Sequence, residues 1–162
     1  MASPIWQLEG VALESDGAAV AGSLADRIIR MYDDTNSPIS VYPTLAGGVD
    51  VTSAATDWGL GTVTQVVPAS TITNNFLLQY VVIENISKDG TYELVFYSGA
   101  GDAEVARLRF VRTTGAFYGN YYRRLPSALI TANSRIRAAL ACSDGLAGAG
   151  TVTVSIGYRE IT

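Results

Sequence analysis

FLLQYVVIENISKDGTYELVFYSGAGDAEVARLRFVR, residues Phe76 to Arg112, is the stretch whose reading decides the fold. It divides into three β-rich runs separated by Ser87-Lys88-Asp89-Gly90 and by Ser98-Gly99-Ala100-Gly101-Asp102. Asp-Gly between two such runs predicts a tight hairpin, since glycine takes positive φ at no steric cost. Tyr92, Leu94 and Phe96 fall on one face of the second run. Ala106, Leu108 and Phe110 fall on one face of the third, with Arg107 and Arg109 on the other. Alternation of period two predicts half-buried antiparallel strands, and the whole stretch reads as a three-stranded meander.

The same pattern extends in both directions. Towards the N-terminus, Gly61 to Val67 alternates and stops at Pro68, and Ile39 to Tyr42 is a short strand closed by Pro43. Arg27 to Tyr32 reads as another strand, and Ala46 to Gly61 as a Gly/Ser/Thr/Ala-rich loop region carrying Asp57-Trp58-Gly59. A buried Trp58 plugging the end of the barrel is the expectation; an exposed one would stack on a sugar or a partner. Residues 1–26 are weakly patterned and read as an extended arm or edge segment, with Trp6 as its anchor.

Towards the C-terminus, Ser134 to Ser143 sets Ile136, Ala138, Leu140 and Cys142 against Arg135 and Arg137. Thr151 to Glu160 alternates most cleanly, with Val152, Val154, Ile156 and Tyr158 inward. Eight or nine short strands with no long amphipathic helix predict an all-β antiparallel sandwich or barrel, one domain over residues 27–162. Two short segments resemble each other, Val67 to Ile72 and Ile130 to Ile136, as corner loops of two Greek-key halves would.

The chain of 162 residues is 48% apolar and only 16% charged, with mean hydropathy +0.22. Soluble domains are usually about 25% charged. The shortfall fits either a mild Gly/Ala/Ser/Thr-rich surface or an assembly component with surface reserved for neighbours. Net charge is −4, which disfavours nucleic acid binding driven by phosphate neutralisation. The charge is split along the chain. Residues 1–60 carry eight acids against two arginines, whereas residues 103–162 carry three acids against eight arginines. Such halves can pair within a chain or head-to-tail between copies.

Catalytic chemistry has little to stand on. There is no histidine, so Ser-His-Asp and Cys-His nucleophiles are excluded, as are zinc sites built from Cys and His. The single cysteine, Cys142, alternates with apolar residues and reads as a small buried hydrophobe. Lys88 sits in a turn and reads as solvated. Glu84, Glu93 and Glu104 are the carboxylates that a glycosidase would need. Pairing of Glu84 with Arg107 or Arg109 is the structural alternative. Asp33-Asp34 with Asn36 is a solvated turn sooner than a calcium site. No cofactor motif is present. No apolar run reaches the ~18–20 residues of a membrane span. The N-terminus lacks the basic start and apolar stretch of a signal peptide, so the chain reads as made in the cytosol and unprocessed.

The stretch Phe117 to Arg124 interleaves aromatics with arginines. In this acidic chain it reads as a protein–protein hot spot rather than a single-strand nucleic acid platform. Interface candidates are therefore Trp6, Arg107, Arg109, Tyr121, Tyr122, Arg123 and Arg124.

Five segments taken together carry a resemblance: Val67 to Asn74, Val82 to Ser87, Gly90 to Tyr97, Ala106 to Phe110 and Ala132 to Ile136. They resemble small jelly-roll proteins encoded in the structural gene clusters of tailed phages and prophages, a group of capsid decoration or cement proteins. The resemblance covers about residues 62–160. It implies a jelly-roll-like fold, a homotrimer, and the major capsid protein of a phage shell as partner. It also implies a place in the virion after synthesis in the bacterial host cytoplasm, with no catalytic residue or cofactor. A receptor- or glycan-binding sandwich using Trp58, Tyr118, Tyr121 or Tyr122 is the second reading, and a small glycosidase the third.

Overall fold

The computed structural model describes residues 38–44, 47–113 and 121–161; Trp6, the arm over residues 1–26, the strand read at Arg27 to Tyr32, Asp33-Asp34 with Asn36, and Phe117 and Tyr118 lie outside them. The described residues form nine strands in two antiparallel sheets. They are β1 (Ser40–Tyr42), β2 (Val49–Thr52), β3 (Thr64–Val67), β4 (Asn75–Ile86), β5 (Gly90–Ser98), β6 (Ala103–Arg112), β7 (Tyr121–Arg124), β8 (Ile136–Cys142) and β9 (Thr151–Ile161). One sheet runs β1-β9-β4-β7, with β2 beside β1 along β9; the other runs β3-β8-β5-β6.

The pairing is nested. β5 pairs β6, β4 pairs β7, β3 pairs β8 and β2 pairs β9, each couple enclosing the one before. The centre of the nest is the turn at Gly99 to Asp102, where Gly99 and Asp102 have φ of 73° and 51°. A long hairpin rolled up in this way is a jelly roll, so the expected all-β sandwich is the observed architecture.

Between the sheets lies one continuous core. β4 contributes Phe76, Leu78, Val81 and Ile83; β5 contributes Tyr92, Leu94 and Phe96; β9 contributes Val152, Val154 and Ile156. Cys142 is buried there too, beside Ile136, Ala138 and Leu140 of β8, as alternation predicted. The inward set of β4 changes parity because the register against β9 shifts between Leu78 and Tyr80 and again between Ile83 and Asn85. Each irregularity adds one residue on β4, which turns the following side chains to the other face.

Two expectations about strands are corrected. The meander is only half present: β5 and β6 pair, but β4 lies in the other sheet, hydrogen-bonded to β9 and β7 on its two edges. Ser87 to Asp89 is thus a crossing between layers. The Asp-Gly signal marks a real reversal, since Gly90 has φ of +150° and a Cβ there would approach Cys142 Sγ to 3.2 Å. It reports local backbone need, and not which strand becomes the partner. Lys88 is also held at this crossing: it donates to the carbonyl oxygens of Asp144 and Gly148, and is less solvated than a free turn lysine. Secondly, the loop region from residue 46 to 61 contains β2. Val49-Asp50-Val51-Thr52 is short enough to be lost among glycines, yet Val51 is fully buried.

The two similar segments face one another. Ser70 and Asn133 both have left-handed backbones, with φ of 62° and 61°. The N–H of Ser70 donates to the carbonyl of Asn133, and the N–H of Asn133 to that of Ile72. They form one end of the sandwich, together with the β5–β6 turn.

Candidate interaction surfaces

On the outer face of the β3-β8-β5-β6 sheet, Ala141, Glu93 and Arg109 stand in one cross-strand row, and Ala139, Val95 and Arg107 in the next. Arg107 and Arg109 both donate to the Glu93 carboxylate. Arg107 also grips Glu104, with Nε 2.9 Å from Oε1 and an Nη 2.7 Å from Oε2. The guanidinium of Arg107 holds the Glu104 carboxyl below the usual range, and its own pKa is raised in return. Glu93 is nearly buried, and β5 is covered on both faces rather than half-buried as alternation suggested.

The row ends at Trp58. Its ring centroid lies 5.4 Å from the Arg109 guanidinium carbon, a cation–π contact. Trp58 is 46% exposed, so the expected buried plug is corrected. The reason is local. The Trp58 N–H is tied to the Cys142 carbonyl along the β8 edge, and the Gly61 N–H to that of Leu140. With φ of 57° at Trp58, the backbone turns the indole over the outer face instead of into the core. Leu60 and Leu146 are exposed in the same loop pair, where the Leu146 N–H donates to Asp57 Oδ1.

The expected pairing of Glu84 with Arg107 or Arg109 is corrected as well. Glu84 stands on the other sheet, accepting hydrogen bonds from Ser155 Oγ and the Gly48 N–H. Glu93 takes both arginines instead. The three carboxylates considered for glycoside hydrolysis thus divide between sheets, and the two on one sheet share a guanidinium.

The outer face of the β1-β9-β4-β7 sheet carries the aromatic surface. Tyr80 lies over Gly157, where any Cβ would come within 2.2 Å of the ring. Tyr80 and Tyr122 rings sit 4.5 Å apart at 39°, and burial beside Tyr122 raises the Tyr80 phenol pKa. Val82 pairs Tyr122, Val41 pairs Gly157 and Leu77 pairs Arg159. All three aliphatic residues are half-buried. Tyr122 is 58% exposed, and Arg123 and Arg124 are exposed on the same edge strand.

The interface candidates therefore do not converge. Tyr121, Tyr122, Arg123 and Arg124 form the β7 edge of one sheet; Arg107 and Arg109 belong to the outer face of the other; Trp6 lies outside the described residues. Sequence reasoning missed Tyr80, Gly157 and Arg159. A glycine inside the cleanest alternating strand was the available signal, since strand glycines mark close approach by a neighbour. A shallow open depression of about 370 Å³ lies at the end formed by the corner loops. Its one cation, Arg135, is spent on the carbonyls of Gly99 and Ala100.

No protein-family model matches this chain. No curated protein matches it either. Among solved structures it is similar to that of infectious bursal disease virus Gt strain, at 13% identity and a TM-score of 0.30, over 79% of this chain and 30% of that one. The Gx strain structure gives 15% identity and a TM-score of 0.29, over 78% of this chain and 30% of that one. The crystal structure of the infectious bursal disease virus VP2 subviral particle gives 10% identity and a TM-score of 0.28, over 78% of this chain and 36% of that one. The chain thus spans about a third of the length of these neighbours.

Proposed function

We propose that this chain is a non-enzymatic structural component of a virion, a decoration or cement protein that self-associates as a homotrimer and binds the major capsid protein of a phage shell. Jelly rolls also serve lectins and cupins, so the fold alone does not select this reading. The observation that carries it is where the exposed aromatics and arginines sit. They lie on outer faces and an edge strand, the composition of protein–protein hot spots, and Glu84, Glu93 and Glu104 on those faces are tied into hydrogen bonds and ion pairs within the chain. The sequence resemblance to phage decoration proteins supplies the setting. Several modest contacts made together raise the effective concentration of each, which suits a protein that bridges shell subunits.

Sedimentation with shells tests it. Purified chain is mixed with empty shells of the phage whose structural genes adjoin its own and spun through a cushion. Saturable pelleting with the shells, and a free mass of three times the 17.1 kDa chain, are the expected results. A chain that stays monomeric and in the supernatant overturns the proposal.

The exposure of Trp58 favours a second reading, a glycan-binding sandwich with the indole as stacking platform. A glycan array separates the two. The cement reading expects no signal that depends on Trp58, whereas binding lost in Trp58→Ala would replace it.

A further inference from the structure

The outer face of the β1-β9-β4-β7 sheet contains a polar group that the described fold leaves unfinished. Arg159 Nε is buried and has no hydrogen-bond partner, and Arg159 makes no ion pair with any described residue. An orphaned buried donor costs free energy of the order of a lost hydrogen bond. Arg159 stands next but one to Gly157 on β9 and opposite Leu77 on β4. It therefore borders the strip of Val41, Leu77, Tyr80, Val82 and Tyr122, with Arg124 on the far edge. An apolar aromatic strip bracketed by two arginines calls for an apolar insert carrying carboxylates.

This chain carries such an insert elsewhere. At the loops after β2 and β8, Trp58, Leu60 and Leu146 are 46%, 48% and 75% exposed. Asp57 and Asp144 flank them and are exposed; Asp144 lies 3.8 Å from the Lys88 ammonium, whereas Asp57 makes no ion pair with any described residue. The cation beside Trp58, Arg109, is already committed to Glu93. The loops are braced for presentation: Asp57 accepts the Leu146 N–H, and the Gly59 N–H closes on the Thr56 carbonyl. Holding a bulky residue at positive φ carries strain that packing must offset, a feature that concentrates at binding sites.

We infer that the self-association face is heterologous: the Trp58/Leu60/Leu146 knob of one copy docks on the Tyr80/Tyr122 strip of the next, with Asp57 meeting Arg159 and Arg124. Each copy offers one knob and one strip on different parts of its surface, so the contact runs head-to-tail and closes into a ring when the rotation permits. The inference rests on the proposed self-association and adds which surfaces make it.

Mixing of two half-defective variants is the test. One variant lacks the knob (Trp58→Ala with Leu146→Ser) and the other lacks the strip (Tyr122→Ala with Arg159→Ala). Folding of each is checked by circular dichroism and thermal melting, and Leu146→Ser alone, at an exposed position, serves if the double variant melts early. By sedimentation velocity each variant alone is expected to associate about tenfold or more weakly than wild type, as for hot-spot truncation. The equimolar mixture is expected to form a discrete dimer, because one intact knob then meets one intact strip. A monomeric wild type overturns the self-association reading and this inference together. A wild-type oligomer that both variants still form, or a mixture that gives no dimer, overturns this inference alone.

Discussion

Gly157 shows how one residue can set a surface. A methyl group there would sit 2.2 Å from Tyr80 Cζ, so Gly157→Ala must lift the Tyr80 ring off the sheet. The expected cost is about 1–3 kcal/mol, as for overpacking, read from urea unfolding; an unchanged midpoint would show that Tyr80 does not pack there. Glu104 gives a prediction in pH. Its carboxyl is held below the reference value of 4.5 by hydrogen bonding from Arg107. A depressed folded-state value contributes stability that is present above the unfolded pKa and lost as pH falls through the folded one. Carboxyl NMR is expected to place Glu104 below 4.5 in wild type and to return it towards 4.5 in Arg107→Ala. Identical midpoints in the two proteins contradict the pairing. Tyr92 behaves in the opposite sense. Burial, with Cys142 beside it, raises its phenol pKa, so this contribution is intact below about pH 10 and wanes above it.

Strands and turns are unevenly legible in the sequence, for physical reasons. β9 and β8 were legible because one face of each meets the core without interruption. β4 alternates poorly because two irregularities reverse its facing. β2 was hidden by its brevity. The Ser87–Gly90 reversal was legible as a turn but not as a layer crossing. Hairpin signals report backbone conformation, whereas partner choice depends on strands far away in the chain. Trp58 departs from the expected buried plug for a similar reason: its setting depends on bonds to β8, some eighty residues later. The arginines on β6 were correctly read as outward-facing, but that Glu93 and not Glu84 binds them is set by register. The corner loops allow a test at this scale. Asn133 has φ of 61°, so Asn133→Val is expected to lose about 1–2 kcal/mol while Asn133→Gly stays within about 0.5 kcal/mol. Equal melting temperatures for the two variants contradict a left-handed backbone at this corner.

At the scale of the whole fold, the described residues form a nest of long-range pairings around the Gly99–Asp102 turn. Topologies dominated by such contacts fold in about milliseconds to seconds, and the loop-closure entropy they must overcome is correspondingly large. In the proposed setting that rigidity has a use. A stiff β-body transmits force between the neighbours it touches, so bridging contacts must break before shell subunits part. Thermal rupture of genome-filled particles reports this most directly. Particles lacking the chain are prepared, the purified protein is added back, and release of nucleic acid is followed on heating. The account predicts that added protein raises the rupture temperature saturably, and that a strip-defective variant which no longer self-associates raises it less. Rupture at one temperature with and without saturating wild-type protein would contradict it.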